Sequence, residues 1–262
     1  YGSCQKRVLN KKIIKTRVLN PKLRWPIDVV KFRSLNGLYI RKVYRRGKYL
    51  IIEFNSIKPI LVIHLGMTGI ISFKDSKKYQ KHKHDHLLIY FTDFICIFND
   101  VRKFGSIHLT DKLNEMFLIK TLGLEPLSEK FNAEYICNIS KKRTCCIKQL
   151  IMNQKILVGV GNIYATEALF LSKIHPLMKA NRLSLKKAER LVTNIKLVLL
   201  ESIKMGGTTI RDYVDVDGKP GYFVQKLLIY QKENCPIHPK HKISNVRISG
   251  RSSFFCSKCQ TE

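Results

Sequence analysis

The sequence predicts an α+β protein built in several parts, and three observations carry that reading. Up to about Leu122 the apolar residues come in short runs separated by turn signals, the pattern of a β-sandwich or barrel. Beyond it the apolar positions recur at helical spacing. The end of the chain is short, basic and cysteine-bearing, with two pairs of ligand-type residues.

Taken in order, the first strand is read over Lys12–Leu19. Tyr39 to Phe54 carries β-type runs, clearest at Tyr49–Phe54. Pro59–Leu65 is a further strand, closed by the turn Gly66–Gly69. Leu87–Phe91 and Phe94–Phe98 read as a hairpin around Thr92-Asp93. Helices are expected over Met116–Leu122, Ala133–Asn138, Cys146–Asn153, Ile163–Ser172 and Leu185–Met205. The last is the clearest: Ser184 caps it, Gly206-Gly207 ends it, and Leu185, Ala188, Leu191, Val192, Ile195 and Leu199 share one face. A loop follows over 208–223, with turn signals at Asp217-Gly218 and Pro220-Gly221.

The 262 residues carry 48 Lys and Arg against 19 Asp and Glu, a formal charge of +29. The basic residues run through the whole chain rather than forming a tail, and duplex nucleic acid is the simplest partner for that pattern. A lysine excess also accompanies AT-rich coding, so charge alone does not decide the matter. No apolar run reaches the ~20 residues needed to span a bilayer, so no membrane role is expected. No secretory signal pattern opens the chain. Of eight cysteines, Cys4, Cys96, Cys137, Cys145 and Cys146 are scattered through apolar or helical contexts. A reducing, cytoplasmic setting with one metal site fits better than a disulfide framework.

Two stretches carry chemistry. Lys148–Phe170 breaks at Val158-Gly-Val-Gly-Asn162 between two helical runs, and the glycines permit a tight turn and a close approach. Asn162 stands at the N-cap position, and the amides behind it form an anion site. A plain helical corner with a glycine pivot fits the same residues. The second stretch is Cys235-Pro-Ile-His238 followed by Cys256-Ser-Lys-Cys259, whose two x₂-spaced pairs make a tetrahedral zinc site easy to build. His241 is a rival fourth ligand. With every position filled by protein the site is structural, and the metal supplies folding energy that so small a segment lacks. Arg247, Arg251, Ser252 and Ser253 fall on the hairpin between the pairs.

Along its whole length the chain resembles the formamidopyrimidine-DNA glycosylases, bacterial base-excision enzymes for oxidised purines. The marks are Lys22-Leu-Arg-Trp-Pro26, Arg45-Arg-Gly-Lys-Tyr49, His64-Leu-Gly-Met-Thr-Gly69, Lys83-His-Asp-His86, Asp100-Val-Arg-Lys-Phe-Gly105, Leu122-Gly-Leu-Glu-Pro-Leu127, Val158-Gly-Val-Gly-Asn-Ile-Tyr-Ala165, Asp217-Gly-Lys-Pro-Gly-Tyr-Phe223 and the terminal knuckle. Each is weak alone, and their order is specific.

The resemblance implies a β-sandwich over 1–122, a helix–two-turn–helix domain over 123–224 and a zinc finger over 227–262, with one structural zinc ion. DNA is expected in the cleft between the lobes, bound by a monomer. Chemistry on a base requires turning it out of the stack, and the gap is filled by wedge side chains. Met67, Arg102 and Phe104 match those residues, and Arg102 also offers donors to the orphaned cytosine. Core packing is the competing reading for Met67 and Phe104. Lys48, His84, Lys142, Lys148, Asn162 and Arg251 match the phosphate grip, with Lys48 and Arg251 also serving the chemistry. A solvated surface charge is the competing reading for each of these lysines, Lys142 above all. Thr208, Ile210, Arg211 and Tyr213 match the base-capping loop. The implied activity is excision of 8-oxoguanine or formamidopyrimidines, then strand cleavage by β,δ-elimination.

The family opens with Pro-Glu-Leu-Pro-Glu, whose proline amine is the nucleophile and whose glutamate is the acid–base partner. Here Tyr1-Gly-Ser-Cys-Gln5 matches the middle of the family's first helix, and no Pro-Glu pair precedes it. Three readings follow: a start that lies outside these residues, a protein that binds damaged DNA without excising, or a shortened enzyme that uses Lys48 as its amine. Two smaller departures are His238 where the family has cysteine, and Gln231-Lys232 where it often has Gly-Arg.

Overall fold

The computed structural model describes residues 2–207 and 222–261. The chain forms two compact units: one runs up to Lys120, the other from Thr121 through Gly207 and from Tyr222 onward.

The first unit is a sandwich of two antiparallel four-stranded sheets. One holds β1 (Lys15–Val18), β6 (Asp85–Tyr90), β7 (Phe94–Asp100) and β5 (Gly69–Asp75), in that order. The other holds β2 (Ile40–Arg46), β3 (Tyr49–Phe54), β4 (Ile60–His64) and β8 (Ser106–Thr110). Because side chains alternate across a strand, Ile52, Phe54, Leu61 and Ile63 of one sheet meet Ile71, Leu87, Ile89 and Phe98 of the other in a single core. Cys4 and Val8 of α1 (Gly2–Val8) join that core. The opposite face of β3, β4 and β8 carries Ile51, Val62 and His108 side by side. The rings of Trp25 and Phe117 pack edge-on to His108.

The expected strand at Lys12–Leu19 is shorter than its pattern. Ile13 N–H donates to Leu38 O and Ile14 N–H to Tyr90 O, so the chain crosses from one sheet to the other before β1 begins. Strands β5 and β8 and the single turn α2 (Val29–Phe32) were not legible in the apolar pattern, since in each the apolar run is broken by a polar residue.

The second unit is helical, with α3 (Phe117–Lys120) lying just before it. It holds α4 (Ala133–Ser140), α5 (Ile147–Met152), α6 (Asn162–Leu171) and α7 (Leu185–Lys204). Asn132 caps α4 through Tyr135 N–H, and Ser184 caps α7 through Lys187 N–H. Helix α7 buries Ala188, Leu191, Val192, Ile195 and Val198. Leu185, expected on that face, is 53% exposed, although Leu183 before it and Ala188 after it belong to the helical core. The unit ends in a hairpin of β9 (Ser244–Ile248) and β10 (Arg251–Phe255). Among the described residues no helix is long and apolar enough to cross a membrane.

Candidate nucleic-acid interface and metal centre

Four of the expected contact residues lie in turns of the sandwich. Lys48 is exposed in the β2–β3 turn, next to Gly47 with φ +58°. Met67 is 63% exposed between β4 and β5. Arg102 and Phe104 are exposed in the β7–β8 connection, where the Arg102 guanidinium lies 4.8 Å from the centre of the Phe104 ring. Neither Met67 nor Phe104 is core, which removes the packing reading of both. The fifth, His84, is half-buried just before β6, its ring 5.6 Å from that of His82. His64 accepts the Gly66 N–H at Nδ1, 3.0 Å away. Burial, then the charges of Lys48 and Arg24, lower His64 to about 4, so its imidazole is neutral at pH 7.

The helical unit places its residues less uniformly. Lys142 is exposed in the turn after α4. Gly161, not Asn162, is the N-cap of α6, and it makes no side-chain cap. Asn162 is the first helical residue instead. Its Nδ2 donates to Ser252 O of β10 at 2.9 Å, so the amide is drawn away from the capping position. Its Oδ1 is buried without a hydrogen-bond partner among the described residues. Lys148 is 1% exposed, unlike an open phosphate-gripping lysine. Its ammonium donates to Thr166 Oγ1 of α6 at 2.8 Å and to Ser253 Oγ of β10 at 2.7 Å. Burial, reinforced by Arg251 and opposed by Cys146, lowers its pKa to about 8.

The four metal-type residues come together. Ligand atoms of Cys235, His238, Cys256 and Cys259 all lie within 4.8 Å of one another. Cys235 Sγ is 3.5 Å from Cys259 Sγ, and Cys259 Sγ is 3.2 Å from His238 Nδ1. Tetrahedral Zn–S and Zn–N bonds imply ligand separations of roughly 3.4–3.8 Å, so three thiols and one imidazole at these spacings fit a zinc ion. Burial, then the crowding of neighbouring thiols, pushes Cys259 up to about 12. Burial also raises Cys235, but hydrogen bonds from His238 and Ile237 outweigh it and leave that thiol at about 7. His241 lies outside the cluster, with Nε2 3.0 Å from Ser257 Oγ. Arg251 opens β10, exposed, after the tight turn Ser249-Gly250, both with positive φ.

Thr208, Ile210, Arg211 and Tyr213 lie outside the described residues. Three positioning residues carried no role in the sequence reading. Glu167 of α6 is buried and accepts the backbone N–H groups of Leu228, Ile229 and Tyr230, which fixes the approach to the finger. A lone glutamate in an otherwise apolar helix was the available signal. Thr68 and Asp100, both buried, sit inside the quoted motifs without drawing notice.

Comparison with known proteins bears on the same residues. The formamidopyrimidine-DNA glycosylase N-terminal domain profile matches residues 2–107, and the H2TH domain profile of the same family matches 122–214. A formamidopyrimidine-DNA glycosylase of Hydrogenovibrio crunogenus is 43% identical over 98% of this chain and 92% of its own length. One of Glaesserella parasuis is 42% identical over 97% and 92%. Among solved structures, a Lactococcus lactis Fpg complex with DNA containing an abasic site superposes with TM-score 0.90 at 33% identity, covering 100% of this chain and 96% of that one. The L. lactis protein with DNA containing Fapy-dG gives 0.89 at the same identity, covering 100% and 97%.

Proposed function

The chain belongs to the formamidopyrimidine-DNA glycosylase family, and from that premise we propose that it acts in base-excision repair on duplex DNA carrying oxidised purines, 8-oxoguanine and formamidopyrimidines among them. The observation that carries this reading is the exposed set Met67, Arg102 and Phe104 on two turns of one sandwich. A thioether, a guanidinium and a phenyl ring are the groups a protein needs to occupy an emptied base position and to hydrogen-bond the unpaired base opposite.

In this proposal the damaged nucleotide turns out of the stack, and Lys48, His84, Lys142 and Asn162 hold the flanking phosphates. Lys148 acts one step removed, tying Ser253 beside Arg251 to α6. Zinc, held by Cys235, His238, Cys256 and Cys259, is structural and stiffens the hairpin that presents Arg251 to a phosphate. The family's chemistry is displacement of the base at C1′ by an amine, giving a Schiff base with the opened sugar. Loss of the C2′ proton then expels the 3′ phosphate, and a second elimination, assisted by Arg251, expels the 5′ phosphate.

The Pro-Glu pair that supplies this amine and its acid–base partner is not among the 262 residues. For these residues alone a second reading applies, binding to damaged DNA without excision. Borohydride trapping separates the two. The 262-residue chain, and the same chain preceded by Pro-Glu-Leu-Pro-Glu and the residues joining it to Tyr1, are each reduced on a duplex with 8-oxoguanine opposite cytosine. The expected covalent band appears with the extended chain only. A band with the 262-residue chain, mapped to Lys48 or Tyr1, would establish another amine as nucleophile. Binding with no band from either chain would leave a DNA clamp and overturn the excision proposal.

A further inference from the structure

The turns that carry Met67 and Arg102–Phe104 are joined by buried hydrogen bonds that the proposed excision does not use. Asp100 closes β7 with none of its surface exposed. Its Oδ1 accepts from the Thr68 hydroxyl at 2.5 Å, and its Oδ2 accepts from Gly105 N–H at 2.7 Å. The Thr68 oxygen in turn accepts from the Arg102 N–H at 3.1 Å. One carboxylate and one hydroxyl thus hold the chain beside Met67, at Arg102 and beside Phe104. Because the hydroxyl donates to a carboxylate, its oxygen becomes a better acceptor for the Arg102 amide. The two turns are also in backbone contact: a Cβ on Gly66 would stand 2.6 Å from Gly105 N and from Phe104 C.

We propose that Thr68 and Asp100 form a clasp that holds the Met67 turn and the Arg102–Phe104 turn at one spacing, as positioning residues for lesion recognition. This rests on the reading of Met67, Arg102 and Phe104 as gap-filling groups. Such groups must enter one emptied base position together. Turns that drift apart must be ordered during binding, and that ordering subtracts from affinity for the lesion. Undamaged duplex offers no gap and is held by phosphate contacts alone, so its affinity does not depend on the clasp.

The test measures binding, at one fixed salt concentration, to a duplex with a tetrahydrofuran abasic analogue opposite cytosine and to the matching undamaged duplex. Thr68→Val keeps the shape and removes the hydroxyl. It is expected to reduce the preference for the gapped duplex about tenfold, as for loss of a hydrogen bond to a charged group. Binding to undamaged duplex should stay within about twofold. Thr68→Ser, which keeps the hydroxyl, is expected to retain the preference. In a Met67→Ala/Arg102→Ala background, Thr68→Val is expected to change nothing further, whereas a merely structural role would lower binding there as well.

An unchanged preference in Thr68→Val, or an equal loss with and without the wedge residues, would overturn the clasp. If Met67→Ala/Arg102→Ala alone leaves the preference intact, the gap-filling reading itself fails, and the two failures are thereby distinguished. Should Thr68→Val not fold, Asp100→Asn enters the same cycle under the same criteria. Its amide would have to donate toward Thr68, reversing the hydrogen bond on which the Arg102 contact depends.

Discussion

The sandwich and the C-terminal finger both present side chains from a tight turn, and they fix that turn by different means. In the sandwich the Met67 turn stands on a large core drawn from both sheets, and its geometry is completed by a buried carboxylate and a glycine without room for a side chain. In the finger the Arg251 turn stands on a small cluster whose buried members are Phe170, Ile229 and the three metal-type cysteines. A segment that cannot exclude enough water by packing must obtain its rigidity from coordination bonds. The difference teaches where each half should fail: the sandwich by steric or polar injury to its turns, the finger by loss of the metal proposed for its four ligand-type residues.

The largest expected effect separates the two regions directly. Cys256→Ala, or a strong chelator applied to the whole chain, should unfold the β9–β10 hairpin while leaving the sandwich intact. Hydrogen exchange should show protection lost over 244–255 and kept over 60–64 and 94–100. Binding to gapped duplex should fall roughly 100-fold as the Arg251 contact and its neighbours are lost. Equal loss of protection in both regions would break the comparison.

Two glycine substitutions sharpen it. Gly66 has φ +65° and its added Cβ meets the backbone of Phe104 and Gly105 at 2.6 Å. Gly250 has φ +75° and its added Cβ meets nothing within 4 Å. Gly66→Ala should therefore cost about 2–4 kcal/mol from strain plus a clash that only backbone movement relieves. Gly250→Ala should cost about 1 kcal/mol from conformation alone. Chemical denaturation of the two variants checks the order, and a reversed order would show that the sandwich turn yields more easily than its packing implies.

The last difference is a pH dependence confined to the sandwich. His64 titrates at about 4 in the fold against an ordinary 6.5. The unfolded chain therefore binds more protons between those values, and stability falls as pH drops from about 6.5 towards 4. His64→Asn retains an acceptor for the Gly66 N–H without the titration. Its unfolding midpoint should vary less over that window than the parent's, and an identical slope would clear His64 of the effect.

Much of the candidate site was legible before folding. The x₂-spaced pairs ending in Cys259 lie in one short segment, so spacing alone restricts which atoms can meet, and His238 joins the cluster as its position predicts. The hairpin between the pairs and the capped α7 follow equally local rules. Other placements followed from long-range packing. Asn162 reads as a cap in sequence, yet Ser252, 90 residues away, claims its amide. Lys148 matches the family's phosphate grip in sequence, yet it is buried against Ser253, 105 residues away.

The sequence by itself determined the α+β order, the strand and helix periodicities, the metal-type ligand set and the family motifs, because each depends on residues a few positions apart. The tertiary structure decided which polar groups are buried and with whom. Thr68 and Asp100 are 32 residues apart, and only the pairing of β5 with β7 brings them together. A hydroxyl or carboxylate has no preferred partner along the chain. Its role is set by the donor that packing places beside it once water is excluded.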